Sequence, residues 1–184
     1  MKLTEHLENT LGPIEHGWTV DSSGKKIPFQ IIQFPERNGF SYFSTLGLSN
    51  SLLLSAKSGR RMRCELLMLA KPNDPAPSLL QQVGCEMIQA GAIPLRGEVI
   101  GPRGPMISGS QMTCLYVSAP AYLPESFTVC ADEELGEVIF IWLVPIHSAE
   151  ADFVREKGWE EFEALLESSD PDLANFARSS LLAF

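Results

Sequence analysis

An α+β fold is the class this chain predicts, and three observations predict it. Runs rich in β-branched and aromatic residues, such as residues 27–34 and 112–117, are broken by Pro, Gly, Asn and Asp clusters. Other stretches carry leucines and aromatic residues at helical spacing. Residues 137–144 are almost continuously apolar, as in a strand covered on both faces. At 184 residues and 45% hydrophobic content, the chain has material for one sizeable core, so a single domain over residues 1–184 is expected.

Each element has its own justification. Leu3, Leu7 and Leu11 recur at helical spacing, and Gly12-Pro13 ends that helix. Asp21-Ser22-Ser23-Gly24 is a turn, and residues 27–34 form a strand stopped by Pro35. Phe40, Tyr42 and Thr45 continue the β character to Gly47, where a turn requires a positive φ. Residues 50–59 form a loop carrying Leu52, Leu53 and Leu54, and residues 63–69 form a strand entered through Arg60, Arg61 and Arg63. Lys71-Pro72-Asn73-Asp74-Pro75 ends that strand. Ser78 reads as an N-cap, and Leu79, Leu80, Val83, Met87 and Ile88 give the following helix its apolar face up to Gly91.

Residues 97–110, with Gly101-Pro102-Arg103-Gly104-Pro105, are the least regular segment. Residues 112–117, 127–130 and 137–144 supply three more strands, the last stopping at Pro145. Ser148 reads as the next cap, with Glu150 and Asp152 in a first turn that favours negative charge. Lys157-Gly158 closes this helix, and Trp159, Phe162, Leu165 and Leu166 form the stripe of another. Asp170-Pro171 is expected to restart a final helix.

Charge excludes some functions. The net charge is −9, and from Asp132 onward there are 13 acidic residues against 3 basic ones. Such a field repels phosphate backbones and steers basic ligands inward, so direct nucleic-acid binding is not expected. No apolar run reaches the roughly 18 residues needed to cross a bilayer, and the first residues lack a signal-peptide core, so a cytoplasmic protein is expected. Cys64, Cys85, Cys114 and Cys130 are far apart and form no CxxC pair, which predicts free thiols and no metal.

The search for chemistry is mostly negative. The chain has no GxSxG elbow, Walker loop or HExxH helix, and prolines remove donors that a phosphate cradle around Gly101 would need. His147 and Glu150, three residues apart, can meet on one helical turn, and with Glu65 they define an alternative reading as a hydrolase or metal-dependent enzyme. Capping electrostatics explain Glu150 as well. Alternation sends Arg61, Arg63 and Glu65 to one face, where charges can pair across the sheet or grip an acidic partner segment. Trp142 and Trp159 belong to apolar patterns and are expected in the core, while Trp18 fits an exposed edge.

Three blocks carry a family resemblance. They are Tyr42-Phe43-Ser44-Thr45-Leu46-Gly47-Leu48-Ser49, Arg63-Cys64-Glu65-Leu66-Leu67-Met68-Leu69, and Phe140-Ile141-Trp142-Leu143-Val144-Pro145-Ile146-His147-Ser148-Ala149-Glu150. In this order and at these distances they resemble the suppressor-of-fused domain over residues 27–167. The resemblance implies a mixed, largely antiparallel sheet packed by helices, with helices at the C-terminal end. It also implies structural roles for Thr45, Gly47, Ser49, Glu65, Pro145 and Glu150, no catalytic residues, no cofactor and a role in protein binding.

The animal protein of the family clamps a short peptide between two domains and adds it to strand edges. Here Asn50-Ser51-Leu52 follows Gly47-Leu48-Ser49 without an aromatic anchor, and a second domain is not expected. Stand-alone bacterial relatives imply an immunity protein that neutralises a toxin domain, and the acidic C-terminal third suits a basic partner. The expected binding residues are Asn50, Ser51, Leu52, Arg60 and Arg61, together with Glu160, Glu161 and Glu163. A small-molecule-binding regulatory domain is the other alternative, and it would require a deep, largely apolar pocket.

Overall fold

The computed structural model describes residues 1–182. In chain order the elements are α1 (Leu3–Leu11), β1 (His16–Val20), β2 (Lys26–Gln33), β3 (Ser41–Leu46), β4 (Leu53–Leu54) and β5 (Arg61–Ala70). They continue with α2 (Ala76–Ala90), β6 (Val99–Ile100), β7 (Met112–Ser118), β8 (Val129–Asp132), β9 (Gly136–His147), α3 (Ser148–Lys157) and α4 (Trp159–Ser169). The strands lie in the order β1-β2-β3-β5-β9-β7-β6, with β4 added to β5 and β8 added to β9. Every pairing is antiparallel except that of β5 with β9, so the sheet is mixed and largely antiparallel, as the sequence led us to expect.

Side-chain alternation gives the sheet two apolar faces. Phe29, Ile31, Phe43, Leu66, Met68, Leu115, Val117, Ile141 and Leu143 pack with Leu79, Leu80, Val83 and Met87 of α2. The opposite face is covered in two halves. Ile32, Phe34, Leu67 and Phe140 meet the Leu3, Leu7 and Leu11 stripe of α1, while Cys114, Tyr116, Trp142, Val144 and Ile146 meet Ala151 and Val154 of α3 and Phe162 of α4. The strand that both layers share is β9. It pairs with β5 along one edge, and on the other it passes from β8 at Val129↔Ile139 to β7 at Ser118↔Trp142. Its near-continuous hydrophobicity is a consequence of that central position.

Local chemistry revises several boundaries. Helix α2 starts at Ala76 and its cap position is Pro75, so Ser78 lies inside the first turn; Pro75 and Pro77 preset the φ that helix entry needs. Helix α3 likewise starts at Ser148, with His147 at the cap position, and the Glu150 carboxylate accepts the His147 N–H at 2.9 Å. Strand β9 does not stop at Pro145 but continues to His147. Pairing with β5 has ended at Trp142 by then, so the missing N–H costs that ladder nothing.

Asp170-Pro171 starts no helix. Asp170 adopts a left-handed conformation with φ 40° and ends α4, after which the chain proceeds in turns. Strand β1 was not legible because His16-Gly17-Trp18-Thr19-Val20 is short and carries only two apolar residues beside a glycine, and all five residues are exposed. Trp18 does occupy an exposed edge and Trp142 is buried, but Trp159 is only half-buried beside Arg96. The four cysteines are free thiols; Cys64, Cys114 and Cys130 are buried.

Candidate partner-binding surfaces

Two buried carboxylates organise the backbone on which any surface must be built. Glu65 is fully buried on β5 and has no cation among its partners. Its Oε1 accepts the Gly47 N–H at 2.9 Å, the Ser49 N–H at 3.1 Å and the Ser49 hydroxyl at 2.6 Å. Its Oε2 accepts the Thr45 hydroxyl at 2.5 Å, and that hydroxyl oxygen takes the Leu66 N–H at 2.8 Å. The acid thus holds the turn after β3, whose Gly47 has φ 97°. Burial pushes the Glu65 carboxyl above the usual carboxylate range, against the pull of these donors.

Glu150, also fully buried, forms the second centre. Arg178 donates to both its oxygens, at 2.7 and 2.8 Å, and the Leu181 N–H adds a bond at 2.9 Å. His147 Nε2 lies 2.9 Å from the Arg178 carbonyl oxygen. Burial raises the Glu150 carboxyl, but Arg178 and the backbone donors outweigh it and hold the group below the usual range. These bonds anchor residues 178–181 to the start of α3. His147 and Glu150 do come together, yet every partner they have is structural, and Glu65 belongs to the other centre. Among the described residues no group of three or more His, Cys, Asp or Glu side chains could hold a metal.

The expected binding residues divide between two places. Asn50 and Leu52 are exposed and Ser51 half-buried, and Arg60 and Arg61 are exposed on the way into β5. Leu52 and Arg61 share a shallow depression of about 250 Å³ with Met62, Arg63, Leu135, Glu137 and Ile139. The expected ion-paired face does not form. Arg63 turns to the Ser49 and Asn50 carbonyls at 2.7 and 3.1 Å, because Glu65 is already saturated by closer donors. On α4, Glu160 and Glu161 are exposed, whereas Glu163 is largely buried and pairs with both ends of the Arg96 guanidinium. Glu163 also accepts the Tyr116 hydroxyl at 2.8 Å, so it is fixed in place in a way its two neighbours are not.

Beside Glu163 lies an open cleft of about 250 Å³ between α4 and the segment following β7. Trp142 and Tyr122 form an aromatic wall with ring centres 5.2 Å apart, and Tyr122 is half exposed. Glu167 and Asp170 stand on the α4 side. Nothing in the sequence singles out Arg96 or Arg178, since their partners come from distant segments. Tyr122 did carry a signal, being an aromatic residue between Pro120 and Pro124.

The family model for suppressor of fused protein matches residues 25–179. The chain belongs to the suppressor of fused family. Solved structures share the fold: a SUFU homologue from Neisseria gonorrhoeae FA 1090 aligns with a TM-score of 0.74 at 19% identity, over 98% of this chain and 94% of that one. A chain of the Sufu–Fu complex crystal structure aligns with a TM-score of 0.71 at 18% identity, covering 97% of this chain and 90% of that one. Drosophila Suppressor of Fused aligns at 0.64 and 17% identity, covering 84% of this chain and 43% of its own length. No curated protein sequence matches the chain.

Within a suppressor of fused domain the three motif blocks acquire a joint meaning. The first two meet at Glu65, and the third ends in the Glu150–Arg178 centre. The carboxylates of the blocks hold backbone in place, while Arg63 of the second block and Trp142 of the third also line surface depressions.

Proposed function

We propose that this chain is a single, non-catalytic protein-binding domain that inhibits its partner by occlusion, an immunity-type protein whose partner is a basic toxin domain. The observation that carries the reading is the outer surface of α4, where Glu160 and Glu161 are exposed and pair with no basic side chain among the described residues. Unpaired acids raise the encounter rate with a basic surface, an effect that salt screens. The Sufu–Fu complex, in which a protein of the same fold is held with a partner, supports the same class of role. The reading includes a cytoplasmic location; no described helix is long and apolar enough to cross a membrane.

Capture of the tagged protein from its host lysate, at low and moderate salt, is the direct test. A stoichiometric partner with a basic domain, retained less well as salt rises, is the expected result. The double variant Glu160→Lys/Glu161→Lys should then slow association about tenfold and flatten its salt dependence. Glu163 is left intact because it is tied to Arg96 and Tyr116. Unchanged kinetics in the variant would remove α4 from the interface, and retention of a metabolite in place of a protein would overturn occlusion.

A further inference from the structure

We propose that the cleft between α4 and the segment after β7 is a socket for one cationic side chain, arginine or lysine, presented by a protein partner. The proposal rests on the protein-binding reading above and names the chemistry by which the partner is held. The argument starts with Arg96. Its guanidinium lies over the Trp159 ring at 5.1 Å and pairs with Glu163, so on one side of the cleft an aromatic face and a carboxylate already hold a cation. The other side repeats those elements without a cation. Tyr122, backed by the buried Trp142 ring, supplies the aromatic wall, and Glu167 and Asp170 supply carboxylates that pair with no described basic residue.

Charge selects the occupant. The titratable side chains lining the cleft are Arg96, Glu163, Glu167, Asp170, Tyr116 and Tyr122; with the first two neutralising each other, the free carboxylates are left dominant. Tyr116 gives its proton to the bond with Glu163, and burial beside that acid pushes its phenol upward, so it adds no charge. An anion or a neutral apolar group would leave Glu167 and Asp170 uncompensated, whereas a guanidinium or ammonium meets them while its stem lies on the Tyr122 ring. The cleft volume of about 250 Å³ suits one long side chain, and an anchor of this kind is how a small pocket dominates a wider interface.

The protein's three tryptophans provide the readout. Nα-acetyl-arginine amide would be titrated into isotope-labelled protein while the indole N–H signals are followed by NMR, with the citrulline analogue as a neutral control of similar shape. Saturable shifts at Trp142, with Trp18 on the remote β1 edge unmoved, are expected for the arginine probe and not for citrulline. Glu167→Gln/Asp170→Asn should weaken the response about tenfold; asparagine tolerates the left-handed backbone at residue 170. Tyr122→Ala, at a half-exposed position that should leave the fold intact, should weaken it comparably. Equal shifts with citrulline, or full binding by both variants, would overturn the socket. The titration uses no partner protein, so its failure is read separately from failure of the capture experiment, which bears on occlusion.

Discussion

Glu65 and Glu150 occupy equally buried positions and answer to pH in opposite directions. For Glu65, burial raises the folded-state pKa, so its contribution to stability is complete below the ordinary carboxylate pKa and is lost as pH rises through the raised value. Glu150 is held low by Arg178, so its contribution is present above the ordinary value and is lost as pH falls through the lowered one. Urea midpoints measured across pH for the wild type, Glu65→Gln and Glu150→Gln should separate the two: the first variant flattens the alkaline side of the profile and the second the acid side. At fixed neutral pH, Glu150→Gln should cost about 3–5 kcal/mol because Arg178 is left buried without its counter-charge. Glu65→Ala should cost a similar amount, since two backbone N–H groups and two hydroxyls lose their acceptor at about 1–3 kcal/mol for each unsatisfied group, partly offset by relaxation. Matching pH profiles for all three proteins would refute the assignment of either carboxylate.

Helix α2 shows how an element can be specified by what its sequence lacks. Gly84 is central in the helix and packs on Phe29 of β2; a Cβ at that position would meet the Phe29 ring at 2.5 Å. Alanine would add about 1 kcal/mol of helix propensity, but overpacking against a buried ring costs typically about 1–3 kcal/mol. Gly84→Ala should therefore lower the melting temperature or leave it level, and a clear rise would mean that the helix can move off the sheet. The elements that a sequence discloses are those whose own periodicity does the packing: α1, α4, β2, β5 and β7 fall where their patterns put them, and β9 does so apart from its C-terminal end, which runs past Pro145. Strand β1 escapes because its backbone bonds to β2 while none of its side chains enters the core. The absent last helix has a similar cause, since Asp170-Pro171 has capping residues but the chain beyond it is held by Arg178 and the sheet. The scaffold half of the site was legible through the motif blocks. The cleft was not, because it is assembled from loops and a helix far apart in the chain.

At the scale of the whole molecule the charge is segregated. Arg60 and Arg61 stand where the chain enters β5, whereas α4 and its acids lie over the β7–β9 part of the sheet, so a partner meets two chemically different regions. The acidic excess should dominate encounters with polyanions: at physiological salt, duplex DNA should show no measurable binding in an anisotropy titration. Binding abolished by Arg60→Glu/Arg61→Glu would instead show that the basic end acts independently.

The parallel pairing of β5 with β9 fixes when the molecule can come into being. Arg63 finds its ladder partner at Val138 and Leu67 at Trp142, so the middle of the sheet joins segments separated by α2, three strands and two long loops. During synthesis β1, β2, β3 and β5 leave the ribosome first and carry the long apolar edge of β5 unpaired until β9 follows. Closure of so distant a contact is entropically slow, and folding on the millisecond-to-second scale of non-local sheets is expected, of order 1 s⁻¹ to 10³ s⁻¹. A nascent chain stalled before β9 presents an open hydrophobic strand in search of a mate, which is what a chaperone, or another stalled copy, would encounter.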